Sequence, residues 1–233
     1  MMLMIVSNFK HIRKKLQQFA EMKEMRNVIE EGPRGFQEVQ TAGKWRSAFF
    51  ENDNPIVLEL GCGRGDYVMA LAERHPDKNF IGIDVKGARM YYGARDALTA
   101  DLNNVMFLRI RIERLEDYFD ENEVDDIWIT FADPFPPKGR ANRRLTNPKF
   151  LGMYSRVLRE GGVLRLKHDD PVFFDYSEEM IREFGFEVTR VERDLYGRGV
   201  QDELLTEIQT TYEKRHLAEG RQIFYLEAKN GII

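Results

Sequence analysis

Two groups of residues in this chain have types and spacings that suit chemistry rather than packing alone. The first is Glu59-Leu60-Gly61-Cys62-Gly63-Arg64-Gly65-Asp66, where an apolar run ends in glycines and a helix begins. Glycines at such a junction let the backbone turn sharply and approach a ligand closely. In a nicotinamide-binding fingerprint the third glycine falls three residues after the second, yet position 66 is Asp and the third glycine is Gly65. Glu59, two residues before Gly61, would repel a pyrophosphate and attract an ammonium group. The spacing therefore prefers a zwitterionic, cationic ligand such as S-adenosylmethionine. Asp84 ends the next strand, about 20 residues on, where a carboxylate accepts the hydroxyls of a ribose in either kind of site. Taken alone, G-x-G-x-G also fits a plain tight turn. Cys62 has no basic or histidine neighbour and reads as a small filler rather than a nucleophile.

The second group follows the apolar run 124–131. Asp133 is succeeded by Pro134-Phe135-Pro136-Pro137-Lys138-Gly139-Arg140, then Arg143 and Arg144. Three prolines stiffen the turn beside the acid. From Pro134 to Arg159 there are seven Lys or Arg residues and no Asp or Glu over 26 positions. A carboxylate can take the N1–H and N2–H donors of guanine, an aromatic ring can stack on a base, and cations can hold phosphates. A nucleic-acid acceptor is the reading favoured over a solvated basic loop. Asp169 lies at the end of a later strand, and Thr210-Thr211-Tyr212-Glu213 opens a late helix. Each of these also has a plain reading, as caps or a surface turn.

The elements that must position these residues alternate. Strands are expected at 56–60, 79–84, 105–109, 124–131, 162–167, 186–192 and 222–228. Helices are expected at 10–30, 65–75, 87–101, 113–119, 147–159, 171–184 and roughly 203–219. This order implies an α/β fold: an open, seven-stranded, mostly parallel sheet with helices on both faces, its last strand antiparallel. Ligands should then sit above the carboxyl ends of the strands. The sequence divides into a basic helical extension at 1–42 and one domain at 43–233. The single cysteine and four scattered histidines argue against a disulfide framework and a metal site. The N-terminal apolar stretch precedes its basic cluster, the reverse of a secretory signal, and no apolar run is long enough for a bilayer. A cytoplasmic protein without a membrane partner is expected. The net charge of −4 is an average over segregated blocks, so it does not exclude a nucleic acid.

The segments LELGCGRG, IGIDVKG, ITFADPFPPKGRANRRLTNPKFL, GGVLRLKHDD and TTYEKRHLAEGRQIFYLEA together resemble the bacterial tRNA (guanine-N7)-methyltransferases, over about 43–229. The D-P-F-P and R-R-L-T block and the T-x-Y-E segment are the specific parts. The resemblance implies a Rossmann-like class I methyltransferase that moves the methyl of S-adenosylmethionine to N7 of a guanosine in the tRNA variable loop, position 46, leaving S-adenosylhomocysteine. It implies that Glu59, Gly61, Gly63, Asp84 and Asp133 bind the cofactor, with Asp133 also the catalytic residue. Arg111 stands where the family often has an Asp near the adenine, with Glu113 two residues on. Pro137, Lys138, Asp169, Thr210, Thr211, Tyr212 and Glu213 would line the substrate side. Arg140, Arg143 and Arg144 would contact RNA. Pro137 replaces a cation of the family, which Lys138 is placed to supply, and Phe135 replaces the usual Trp. No metal and no obligatory protein partner are implied, and the chain would act as a monomer or homodimer. Two competing readings are a methyltransferase acting on another RNA base or a protein amide, and a tRNA-binding subunit without activity.

Overall fold

The computed structural model describes residues 15–31, 40–136, 138–197 and 202–231. Residues 15–22 are helical (α1), and strand β1 (Val28–Glu30) follows. The chain then alternates through β2 (Ile56–Leu60), α2 (Asp66–Arg74), β3 (Asn79–Ile83), α3 (Gly87–Thr99) and β4 (Val105–Arg109). Next come α4 (Leu115–Tyr118), β5 (Val124–Thr130), α5 (Pro148–Val157), β6 (Leu158–His168) and α6 (Pro171–Phe184). The last elements are β7 (Glu187–Glu192), α7 (Glu203–Glu207), α8 (Thr211–Ala218) and β8 (Phe224–Lys229). The strands form one sheet in the order β1-β4-β3-β2-β5-β6-β8-β7. Every pairing from β1 to β6 is parallel, and β8 runs antiparallel to both β6 and β7.

The strand order reverses direction between β2 and β5, which opens a crevice beyond their carboxyl ends. The central strands are buried on both sides, so they read as continuous apolar runs. Leu58, Leu60, Ile81, Ile83, Ile127 and Leu166 face the helices α5 and α6 through Phe150, Tyr154, Phe173 and Phe174. On the opposite face Val57, Phe80, Phe107 and Trp128 meet Tyr67 and Leu71 of α2, Met90 and Ala94 of α3, and Leu205 of α7. Two-residue alternation along β2 sends Glu59 to the second of these faces together with Val57.

Three expectations are corrected. The sheet has eight strands rather than seven, because the segment expected to be helical through residue 30 turns after residue 22 and contributes β1. Val28 and Ile29, both β-branched, pair with Phe107 and Leu108, and the Asn27 side chain donates to the Ala94 carbonyl (2.9 Å). This stretch is therefore joined to the sheet. The helix expected at 203–219 is two helices, broken before Thr210, whose hydroxyl accepts the Glu213 amide and caps α8. Strand β6 begins four residues earlier than expected, passing Gly161 (φ +69°), where the register against β5 shifts.

Candidate active site

The glycine loop after β2 is built by backbone. The amides of Gly61 and Cys62 both donate to the Ile83 carbonyl (2.8 and 3.1 Å), and that of Gly65 donates to Cys62 (2.7 Å). Gly61, Gly63 and Gly65 all have φ between +60° and +76°, the left-handed region that side chains disfavour. Their surroundings differ. A Cβ at Gly61 or Gly63 would meet no atom within 4 Å, whereas one at Gly65 would lie 2.5 Å from the Phe107 ring. The first two glycines thus face open space at the sheet edge, and the third is packed against the core. Burial pushes the Cys62 thiol well above its usual range, so it stays protonated and inert.

Asp84 closes the loop from β3. One carboxylate oxygen accepts the Gly63 amide (2.9 Å) and the other the Lys86 amide (2.8 Å), which leaves lone pairs on its exposed side for two hydroxyls. Glu59 is 2% exposed and takes a different place: its oxygens accept the Val68 amide (3.0 Å) and the Thr130 hydroxyl (2.7 Å). It ties the start of α2 to the end of β5. Burial raises its pKa to about 7, opposed by those two hydrogen bonds. A carboxylate so placed is readily ionised by a cation brought near it. The open glycine cradle, the half-satisfied Asp84 and this raised carboxyl together fit a zwitterionic nucleoside such as S-adenosylmethionine.

Past β5 the architecture changes from backbone to side chain. Asp133 is exposed, and its Oδ1 accepts the Phe135 amide (3.1 Å). Arg140 and Arg143 are exposed, and Arg143 lies over the Phe135 ring (5.3 Å). Arg144 departs from its expected place on the RNA-facing surface. It is 6% exposed, donates to the carbonyls of Pro134 (3.0 Å) and Phe135 (3.4 Å), and lies over the Tyr176 ring (4.3 Å). Pro137 lies outside the described residues. Lys138 begins a short 3₁₀ segment, Lys138–Arg143. Arg111 is exposed after β4 and precedes the 3₁₀ turn Ile112–Arg114.

At the end of β6, Asp169 is nearly buried and paired with Arg221 (2.8 Å), and His216 Nδ1 lies 3.0 Å from the same oxygen. Its neighbour Asp170 caps α6 by accepting the Phe173 amide (2.7 Å). The Thr210–Glu213 segment splits. Thr211 and Tyr212 are exposed, and the Thr211 hydroxyl donates to Asp66 (3.1 Å), joining α8 to α2. Glu213 points inward instead of to the cleft. It is fully buried against Lys167 (2.6 Å) and accepts the Tyr196 hydroxyl (2.7 Å), while Lys167 also donates to the carbonyls of Leu205 (2.5 Å) and Ile208 (3.2 Å). Burial pushes the Lys167 pKa down and the Glu213 pKa up, and their contact opposes both shifts. Glu213 Oε2 and the Tyr67 hydroxyl remain buried without a hydrogen-bond partner.

Glu59, the glycine loop, Asp84, Arg111, Asp133 and Asp169 therefore all follow, or end, parallel strands at one edge of the sheet, with α8 fastened across it. Lys167, His168 and Arg221 belong to this edge and were not singled out from the sequence. A single lysine, histidine or arginine near a strand end has no spacing signature, and the distant groups that each of them holds here lie 36 to 52 residues away.

A family model described as "Putative methyltransferase" matches residues 53–226. A tRNA (guanine-N(7)-)-methyltransferase of Christiangramia forsetii is 42% identical over 93% of this chain and 98% of its own length. One from Porphyromonas gingivalis is 47% identical over 79% of this chain and 75% of its own length. Among solved structures, an antibiotic-related methyltransferase superposes with a TM-score of 0.63 at 18% identity, covering 82% of this chain and 96% of that one. The 16S rRNA methyltransferase KamB gives 0.61 at 16% identity over 82% and 94%, a likeness of fold. With sequence identity extending across nearly all of both chains, this protein belongs to the tRNA (guanine-N(7)-)-methyltransferase family.

Proposed function

We propose that the chain methylates N7 of a guanosine in tRNA, at position 46 of the variable loop, using S-adenosylmethionine. The observation that carries this reading is the near full-length identity to tRNA (guanine-N(7)-)-methyltransferases, in a chain whose cofactor-shaped loop and Asp133 turn share one sheet edge. When bound, S-adenosylmethionine supplies an electrophilic methyl group. Guanine N7 carries an in-plane lone pair and no proton, so the chain need not provide a strong base. Its contribution is positioning and electrostatics at a base that becomes cationic. Gly61 and Gly63 would let the loop backbone approach the nucleoside, Asp84 would take the ribose hydroxyls, and Glu59, buried at the end of β2, would supply a negative charge opposite the ammonium. Arg111 and Glu113 would border the adenine side.

Asp133 holds one oxygen on the Phe135 amide and keeps its second free for the N1–H and N2–H edge of guanine. There it would orient the ring and stabilise the growing positive charge. Arg140 and Arg143 would meet tRNA phosphates, and Tyr212 and Thr211 would border the base from α8. No helix among the described residues is long and apolar enough to cross a membrane. The test is methyl transfer from labelled S-adenosylmethionine to bulk tRNA, followed by nucleoside analysis. Label in 7-methylguanosine is expected, and label in any other nucleoside sinks the reading. Replacing guanosine 46 in a transcribed tRNA should remove the acceptor; undiminished labelling would move the target elsewhere.

A further inference from the structure

The turn that carries Asp133 is held in an unfavourable backbone shape. Phe131 (φ +48°) and Phe135 (φ +42°) both lie in the left-handed region, where bulky side chains are rarely found. Such conformations persist only where the surroundings over-determine them. Here two buried side chains grip the turn by its carbonyls, one from each side of Asp133. His168, 2% exposed at the end of β6, contacts the Ala132 carbonyl through Nε2 (2.8 Å). Its Nδ1 accepts the Asp170 amide (2.9 Å), so the proton resides on Nε2 and donates to Ala132. Arg144 spans the carbonyls of Pro134 and Phe135 with its planar fork while stacked on Tyr176 of α6. The ammonium of a lysine cannot make that bidentate, stacked contact.

We propose that His168 and Arg144 are positioning residues that bracket the Asp133 turn, and that Arg144 acts on turnover through this turn instead of binding RNA. The proposal rests on the reading of Asp133 as the carboxylate that meets the substrate. Burial keeps His168 below the usual histidine range and neutral, against the pull of Asp169 and Asp170 and with His216 of α8 facing it. That is the protonation state the bracket needs, since a second ring proton would confront the Asp170 amide.

The decisive variant is Arg144→Lys, which keeps the charge and loses the fork. At saturating tRNA and S-adenosylmethionine, kcat should fall at least tenfold per cofactor-binding site counted by calorimetry. The tRNA Kd and its salt dependence should stay within twofold of the parent chain. His168→Gln should show the same split. Arg143→Ala should show the opposite one, its loss lying in tRNA affinity. Unchanged kcat in Arg144→Lys, or a loss residing wholly in tRNA affinity, would overturn the proposal. If Arg144→Lys does not fold, Tyr176→Leu removes the ring beneath the guanidinium and should lower kcat at least threefold; no change there overturns it equally. Failure of the function itself is separable, because the parent chain would then label no 7-methylguanosine. Failure of the Asp133 reading is separable too, because Asp133→Ala would keep its turnover.

Discussion

The two sides of the cleft are built by opposite means. On the β2–β3 side the backbone does the shaping: Gly61, Cys62 and Gly65 are fixed by main-chain hydrogen bonds, and Asp84 is seated on two amides. On the β5–β6 side the turn is irregular, strained at Phe131 and Phe135, and held by the side chains of His168 and Arg144. A surface made of backbone tolerates most substitutions except at its glycines. A surface made of side chains is sensitive residue by residue, and it is where a specificity for one base can be written.

The largest effect that separates the two sides is expected at Asp133. Asp133→Ala should lower single-turnover methyl transfer by about 10²–10³ or more, while the cofactor Kd moves by less than about tenfold, ~1.4 kcal/mol. Near-normal transfer, or an equal loss of cofactor binding, would erase the division. Next comes the packing beneath the glycine loop. A Cβ at Gly93 of α3 would lie 1.7 Å from the Arg64 carbonyl oxygen, so Gly93→Ala must displace the loop. A loss of about 3 kcal/mol in urea unfolding is expected, together with weaker cofactor binding. A stable variant that binds the cofactor normally would show that the loop is pliable.

Glu59 gives a smaller, pH-dependent effect. Its folded pKa near 7 lies above the ordinary carboxylate value of 4.5, so the folded chain binds the extra proton between those values. Stability should therefore decline as pH rises from about 4.5 to 7, by about 2.5 kcal/mol, and level off about one pH unit above. Glu59→Gln should flatten that decline in urea midpoints taken across the window; an unaltered slope would assign it to other groups. The smallest effect concerns the RNA-facing cations. Replacing Arg140 and Arg143 together should reduce the salt slope of tRNA binding by up to about 2. A slope identical to that of the parent would take both out of the footprint.

Much of this arrangement was legible because local patterns coincide with tertiary ones. Runs such as Ile56–Leu60 are apolar throughout because they are buried on both faces, and the glycines mark where β2 turns into α2. Strand β1 was not legible: Val28–Glu30 is three residues long and continues the apolar spacing of the helix before it. Only the exposed edge of β4 makes it a strand. The inward turn of Arg144 was not legible for a related reason, since a basic cluster says nothing about which member folds inward. The buried Lys167–Glu213 pair was hidden because nothing in either segment names its partner, and T-x-Y-E looks like a surface helix start even when its glutamate is in the core.

That pair has a mechanical consequence. Lys167 belongs to the central sheet and Glu213 to α8, and neither is exposed. Swinging α8 away would strand one charge in an apolar interior, at a cost of about 3–5 kcal/mol. Helix α8 is thus a fixed jamb and not a door. The edge of the slot beside it is therefore anchored to the sheet from within, by a contact that no substitution on the surface can reach.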